Sequence, residues 1–125
     1  MSFKEKKYSV MKQAISPELA NFAFNYFLLK REAVEWMFNT NYISKFTPGF
    51  GTWEDKQVPN TFSSYGDFFM ETLMMKVLPR MKQETQLELI PCYTYARAYK
   101  KGDILKRHKD RPSCEISTTR SDGLQ

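Results

Sequence analysis

Within residues 87–99, two kinds of side chain alternate from residue 92 onward, and this alternation constrains the fold more than any other feature of the sequence. The odd positions from 93 carry large side chains with polar tips, and the even positions from 90 carry small or apolar ones. The first set is Tyr93, Tyr95, Arg97 and Tyr99, and the second is Ile90, Cys92, Thr94, Ala96 and Ala98. Successive side chains of a β-strand point to opposite faces of the sheet. The pattern therefore predicts a strand with its smaller side chains in the core.

The single histidine of the chain, His108, lies two residues before Asp110. In an extended strand, side chains at this spacing lie on the same face, about 6–7 Å apart. An imidazole and a carboxylate so placed can bind one divalent metal from the same side. They make up two of the three ligands in the facial triad of non-haem Fe(II) oxygenases. His108 and Asp110 are therefore candidate metal ligands.

The residues around this pair resemble a known family. Tyr99, Gly102, His108 and Asp110 form the pattern Y-x-x-G-x-x-x-x-x-H-x-D, and R-P-S-C-E-I-S follows it. This region is similar to the iron-ligand region of Fe(II)- and 2-oxoglutarate-dependent dioxygenases. The nearest likeness is to the prolyl-4-hydroxylase-like branch, with its bacterial and phage-encoded members. The strong part of the resemblance covers residues 87–119, and a weaker part covers residues 49–78.

The resemblance implies Fe(II) as cofactor, 2-oxoglutarate as co-substrate, and hydroxylation of a peptide or small-molecule substrate. By position, Tyr99 matches the tyrosine that contacts 2-oxoglutarate, and Tyr93, on the same predicted strand face, is a second candidate contact. Arg111 is a candidate for holding Asp110 or a substrate group. Trp53 and Tyr65 are candidate substrate contacts, with packing on the core as the alternative.

The sequence departs from the family in its ligand set. The family uses a second histidine far downstream and a basic residue beyond it, and the 125 residues contain neither a second histidine nor that segment. We interpret the chain as an oxygenase truncated at its C-terminus. We expect this chain alone to have little or no turnover.

The first half of the chain predicts two helices. Ser16-Pro17-Glu18 is typical of a helix start, with a capping hydroxyl, a proline and an acidic first turn. An apolar stripe follows and predicts a helix to about residues 39–41. The stripe is Leu19, Phe22, Tyr26, Leu29, Ala33 and Met37, with Ala23, Phe27, Val34 and Trp36 beside it. A second helix is predicted to begin near residues 64–67 and to kink or end at Pro79.

The remaining elements are predicted to be strands and loops. Short strands are expected at residues 8–11, 42–43 and 52–53, the last two within a long loop at 39–64. Longer strands are expected at about 86–99, 104–110 and 113–119, with a turn at 100–103. We predict a single α+β domain over residues 1–125. The helical portion spans about 16–84 and the β-core begins at about 86–119; by the resemblance, this core is part of a double-stranded β-helix, or jelly roll.

The net charge of +5 is concentrated in residues 97–111. This segment contains seven basic and two acidic residues, and the rest of the chain is neutral. Such a field can attract an anionic co-substrate such as 2-oxoglutarate, or the phosphates of a nucleic acid. Two alternatives to an oxygenase therefore remain open. One is a basic binding module in which bases stack on the tyrosines. The other is an assembly protein that oligomerises through an exposed sheet edge.

Localisation follows from absences in the sequence. There is no apolar run of about 18 residues, so no membrane span and no membrane association are expected. The N-terminus lacks the apolar region of a secretory signal, and we expect a cytoplasmic protein. Cys92 and Cys114 lie on neighbouring predicted strands, and the absence of an oxidising context favours two reduced core thiols over a disulfide.

Overall fold

The computed structural model describes residues 3–11, 13–106 and 108. These residues form three helices and one two-stranded antiparallel sheet. The helices are α1 (Phe3–Lys6), α2 (Pro17–Asn39) and α3 (Phe68–Thr85), and the strands are β1 (Phe62–Tyr65) and β2 (Tyr95–Ala98). In the sheet, Phe62 pairs with Ala98 at one end and Tyr65 pairs with Tyr95 at the other.

Helix α2 has the bounds that its sequence predicts. The Ser16 hydroxyl accepts a hydrogen bond of 3.2 Å from the Leu19 amide, and Pro17 is the first helical residue. At the other end, the Thr40 amide donates to the carbonyl of Trp36 at 3.0 Å. Both ends use groups that are local in sequence, and the predicted helix is confirmed.

The buried face of α2 differs from the predicted one. Ala23, Phe27 and Val34 are buried, whereas Phe22 and Leu29 are exposed. Apolar residues cover more than one face of this helix, so periodicity alone does not select the side that packs. The sheet selects it, because Phe62 and Ala98 form one buried cluster with Phe27 and Val34. The predicted centre of the stripe is wrong by about one helical position.

Helix α3 begins where it was predicted and continues beyond its expected end. The Asp67 carboxylate accepts a hydrogen bond of 3.0 Å from the Met70 amide and caps the helix. The helix then runs through Pro79 to Thr85. Pro79 is exposed, so water can bind the carbonyl that the missing amide leaves unpaired. The helix therefore does not end at Pro79.

The predicted jelly roll is wrong. Within the described residues there is one two-stranded sheet, and only Tyr95–Ala98 of the predicted strand at 86–99 is paired. Residues 104–106 form no strand, and the predicted strand at 113–119 lies outside the described residues. A strand extends only as far as its partner, and β1 has four residues. The predicted turn at 100–103 is confirmed by the Asp103 amide, which donates to the Lys100 carbonyl at 3.0 Å.

Two of the three short predicted strands are wrong. Residues 8–11 and 42–43 form no strand, and α1 was not predicted. In the segment 52–53, Thr52 makes a single antiparallel bridge with Ser63, and so it lies along the edge of β1 that faces away from β2. β1 itself lies where a loop was expected. No helix in the described part of the chain is long and apolar enough to cross a membrane.

Candidate functional site

The two faces of the sheet differ as the alternation in the sequence predicts. Ala98 belongs to the buried cluster beneath α2, and Ala96 packs against that cluster. Tyr95 and Arg97 lie on the opposite face, in register with Tyr65 and Ser63 of β1. This outer face carries the predicted candidate Tyr65, and the candidates Tyr93 and Tyr99 lie just outside the two ends of β2. It is the surface from which the site is built.

Arg97 is held on this face by a loop residue that sequence reasoning missed. Its Nε donates to Oδ2 of Asp55, and its Nη2 donates to Oε1 of Gln57 at 2.8 Å. The two charged side chains are almost wholly buried, with 9% of Arg97 and 3% of Asp55 exposed. We call this pair the Asp55–Arg97 clasp. It fastens the loop before β1 to β2.

The clasp is completed by donors from several directions. Tyr95 Oη donates to the same carboxylate at 2.9 Å, and the amides of Gln57 and Val58 donate to its other oxygen. Burial by itself raises the pKa of Asp55, but the hydrogen bonds from Arg97, Gln57 and Tyr95 outweigh it. The pKa of Asp55 therefore lies below its usual value. The carboxylate is ionised at neutral pH and its oxygens are satisfied.

The candidate co-substrate contacts, Tyr93 and Tyr99, flank β2 on either side. Tyr99 Oη accepts a hydrogen bond of 3.0 Å from Arg97 Nη1, and the ring lies 5.7 Å from the guanidinium carbon. Tyr93 stacks on Tyr65 with ring centroids 5.0 Å apart. The structure thus joins Tyr99 to Arg97, and it joins Tyr93 to the candidate substrate contact Tyr65.

His108 is the one predicted metal ligand within the described residues. It is exposed, and its Nδ1 lies 2.9 Å from the carbonyl oxygen of Lys106. Because a carbonyl oxygen only accepts, Nδ1 must carry the proton in this contact. Asp110 and Arg111 lie outside the described residues. Among residues 3–11, 13–106 and 108, no group of three or more histidine, cysteine, aspartate or glutamate side chains is placed to hold a metal.

These observations test the fit of the implied iron. A ligating histidine usually donates its second ring nitrogen to a carbonyl or carboxylate, which leaves the other nitrogen with a lone pair. The contact between His108 and Lys106 matches that arrangement. The described residues do not complete a ligand set.

A second buried ionic group lies on the core side of the sheet. Lys30 of α2 donates to Ser64 Oγ at 2.9 Å and to the Asp67 carboxylate, which also accepts from Tyr26 at 2.6 Å. Burial by itself raises the pKa of Asp67, but the hydrogen bonds from Lys30 and Tyr26 outweigh it and lower that pKa. Burial, together with the hydrogen bond that Tyr26 donates to Asp67, raises the pKa of Tyr26 well above its usual value. This network joins α2, β1 and the start of α3.

The basic stretch is less available than its sequence suggests. Arg97 is neutralised by Asp55, and Lys100 pairs with Asp103 at 3.1 Å. Lys101 and Lys106 are exposed, and the other basic residues of the segment lie outside the described residues. Cys92, predicted as a core thiol, is exposed, so that prediction is wrong. Cys114 lies outside the described residues.

Each of the two candidate substrate contacts, Trp53 and Tyr65, lines an open cavity. The first, of ≈ 410 Å³, is lined by Trp53 together with Glu35, Phe38, Lys45, Phe46 and Glu54. The second, of ≈ 280 Å³, is lined by Tyr65 and Tyr95 together with Gly49, Gly51 and Lys45. Trp53 also packs against Phe62, with ring centroids 4.8 Å apart. It is thus both a core anchor and a cavity wall.

Comparison with known proteins finds no match to a family model, a curated protein or a solved structure. The functional argument therefore depends on the residues and their geometry.

Proposed function

We propose that the chain carries part of an Fe(II)- and 2-oxoglutarate-dependent oxygenase site, with His108 and Asp110 as two metal ligands. The observation that carries the proposal is the hydrogen bond from His108 Nδ1 to the Lys106 carbonyl. In the neutral ring, this tautomer has its lone pair on Nε2, and the neutral imidazole is the form that binds a metal. The spacing of His108, Asp110 and Tyr99 in the sequence supports the same assignment.

Tyr99 and Arg97 have the properties that binding of an anionic co-substrate requires. Tyr99 Oη accepts from Arg97, so its own proton remains available for donation to a carboxylate. The clasp holds Arg97 in place, so the phenol is positioned before any ligand arrives. A fixed donor loses less conformational entropy on binding than a mobile one.

The bound iron and 2-oxoglutarate would supply the oxidative chemistry of a hydroxylation. A facial triad needs a third ligand, and the sequence contains no second histidine. The proposal assigns that ligand to a residue outside these 125, and it predicts weak metal binding by this chain alone. The substrate is a peptide or a small molecule that reaches the surface near Trp53 and Tyr65.

An anaerobic titration with Fe(II) and 2-oxoglutarate tests the proposal. The expected result is a visible metal-to-ligand charge-transfer band that is lost in His108→Ala and in Asp110→Asn. Lys106→Ala is the matched control, because it changes a neighbouring side chain and keeps the carbonyl that His108 contacts. The absence of a band, or a band that persists in His108→Ala, overturns the assignment of His108 as a ligand.

A second candidate function is single-stranded nucleic acid binding, and the exposed tyrosines of the outer sheet face favour it. Tyr65, Tyr95 and Tyr99 are each about half exposed, and stacking of a base on an aromatic ring contributes about 1–3 kcal/mol. This function predicts oligonucleotide binding that weakens steeply with salt and is unchanged in His108→Ala. Salt-independent binding, or loss of binding in His108→Ala, excludes it.

A further inference from the structure

The Trp53 cavity is defined by Glu35, Phe38, Lys45, Phe46, Trp53 and Glu54. The oxygenase proposal uses only Trp53 of this lining, as a substrate contact. Two of its aromatic walls are rigid. Phe38 and Trp53 meet edge to face with ring centroids 6.1 Å apart, and Trp53 in turn packs on the buried Phe62. These rings are held by the core, so the cavity wall is formed in advance of any ligand.

The third aromatic wall, Phe46, is 80% exposed. The loop that carries it is nevertheless held in place. The Phe46 amide donates to Ser44 Oγ at 3.2 Å, and the Thr47 amide donates to the Ser44 carbonyl at 2.9 Å. The ring is thus presented at the cavity edge, and its exposure has no explanation in core packing.

The charges around the cavity favour a cation. Glu35 and Glu54 are exposed carboxylates, and within the described residues no ion pair engages either of them. The cavity also lies at the C-terminal end of α2, whose last turn contains no basic residue. The carbonyl groups at a helix C-terminus carry partial negative charge and attract cations. All three features, the carboxylates, the aromatic faces and the C-terminal end of α2, therefore attract a positively charged ligand.

A lysine of the protein itself already places its ammonium group against an aromatic ring of this cavity. Lys45 is the basic residue among those lining the cavity, and its Nζ lies 5.3 Å from the centroid of the Phe46 ring. This distance is within the range of a cation–π interaction. Lys45 therefore acts as an internal competitor for an incoming ammonium group.

We propose that the Trp53 cavity binds an alkylammonium group, either a lysine or methylated lysine side chain or a free quaternary ammonium ion. Aromatic faces attract such ions through the ring quadrupole, and weakly hydrated methylated ammonium ions lose little solvation on entering. The neighbouring carboxylates add Coulomb attraction and reject anions. The site requires neither iron nor 2-oxoglutarate, so it stands or falls independently of the proposed oxygenase function.

Fluorescence of Trp53 provides the test. The chain has two tryptophans, and Trp36→Phe replaces an exposed side chain and leaves Trp53 as the sole tryptophan, whose emission is excited selectively over that of the tyrosines. We expect a saturable change in its emission on titration with tetramethylammonium chloride, with total chloride held constant by sodium chloride. The uncharged alcohol 3,3-dimethyl-1-butanol should give no saturable change, because its tert-butyl group has nearly the shape of a trimethylammonium group without the charge.

Variants of the cavity identify the groups responsible. Phe46→Ala and Glu54→Gln should each weaken tetramethylammonium binding at least about threefold, the factor expected for one cation–π or charge contact. Phe68→Ala and Glu88→Gln are matched controls, because both residues are exposed and lie outside the cavity. Lys45→Met should strengthen binding, because it removes the competing ammonium group. A purely structural role for Lys45 gives no reason for such a gain.

The source of the ammonium group is decided in the same assay. A lysine or trimethyllysine peptide that binds more tightly than tetramethylammonium indicates a side chain presented by a protein. Equal affinities indicate a free ion. The proposal is overturned if tetramethylammonium causes no saturable change, if the uncharged alcohol acts equally, or if Phe46→Ala and Glu54→Gln bind as well as their controls.

Discussion

Arg97 shows how one residue determines whether the outer sheet face exists in its observed form. The strand that carries it is four residues long, and the loop that carries Asp55 lies about 40 positions earlier in the chain. A short strand and an irregular loop have little intrinsic stability. The Asp55–Arg97 clasp supplies a contact that neither segment makes alone, and it sets the position of Tyr95 and Tyr99.

The first prediction concerns the removal of the cation from this clasp. In Arg97→Met, Asp55 remains buried without its counter-charge, although Tyr95 and two amides still donate to it. We expect the free energy of unfolding to fall by about 3 kcal/mol, the lower end of the effect of breaking a buried pair. Urea denaturation at pH 7 measures the change.

The control for this prediction is Lys101→Met, which removes an exposed cation from the nearby turn and should change stability by less than about 0.5 kcal/mol. A double-mutant cycle with Asp55→Asn then isolates the pair. The variant that combines Arg97→Met with Asp55→Asn should lose less free energy of unfolding than the sum of the two single losses, because neither partner remains as an unpaired buried charge. Equal losses in Arg97→Met and Lys101→Met would contradict a structural role for the clasp.

The second prediction concerns the pH dependence of stability through Asp67. Its pKa is lower in the folded protein than in the unfolded chain, despite burial, because Lys30 and Tyr26 donate to the carboxylate. A lowered pKa contributes stability above the unfolded value of about 4, and this contribution is lost as pH falls through the folded value. The protein should therefore lose stability below about pH 5.

Asp67→Asn separates this contribution from general acid effects. The variant should be less stable than the parent at pH 7, where Lys30 loses its counter-charge, and the difference should narrow toward pH 2–3 as Asp67 in the parent is protonated. Urea midpoints at several pH values measure it. A difference that stays constant across the pH range would show that the ion pair does not cause the acid sensitivity.

At the scale of elements, the two long helices, α2 and α3, were predictable because their signals are local. The N-cap at Ser16, the proline at position 17 and the carboxylate at Asp67 all act within one turn. The strands were not predictable in extent, because a strand ends where its partner ends. The alternation at residues 95–98 correctly assigned the faces, yet nothing within that segment indicates that β1 pairs with only four residues.

The candidate site was predictable in part for the same reason. Tyr95, Arg97 and Tyr99 were expected to share a face, because that depends only on the alternation within one strand. Asp55 was missed, since a single carboxylate in a loop carries no local sign of a partner some 40 residues away. Lys30 was missed because a lysine in a helix is usually exposed, and its burial depends on Asp67.

The third prediction concerns Pro79, which lies within α3. Proline in a helix interior lacks the amide donor and clashes with the carbonyl four residues earlier, here that of Met75. Pro79→Ala restores the hydrogen bond on an exposed side of the helix, and the free energy of unfolding should rise by about 1–3 kcal/mol. Lys76→Ala, an exposed change in the same helix, should alter it by only a few tenths of a kcal/mol. A loss of stability in Pro79→Ala would show that the proline has a role in packing.

At the scale of the whole molecule, the described residues bury little apolar surface. The buried hydrophobic residues number seven, whereas fifteen large hydrophobic side chains are exposed, among them Phe46, Phe68 and Ile90. The sheet has two strands, and β2 pairs on one side with β1. Two-stranded sheets are marginal in water without further packing. In the described part of the chain, stability therefore depends heavily on the cluster that α2 and the sheet share.

The last prediction follows from the size of that cluster. The slope of unfolding free energy against urea concentration increases with the surface exposed on unfolding, and small proteins give about 1–3 kcal/mol/M. We expect a slope at or below the lower end of this range for the chain.

Phe62, which is 1% exposed and contacts both Phe27 and Trp53, carries much of the core. Its replacement by alanine should cost about 3–5 kcal/mol and abolish the cooperative transition. Phe68→Ala, a change at a residue that is 85% exposed, should leave the transition intact. A slope well above 2 kcal/mol/M, or a cooperative transition in Phe62→Ala, would mean that more of the chain packs on this cluster than the described residues account for.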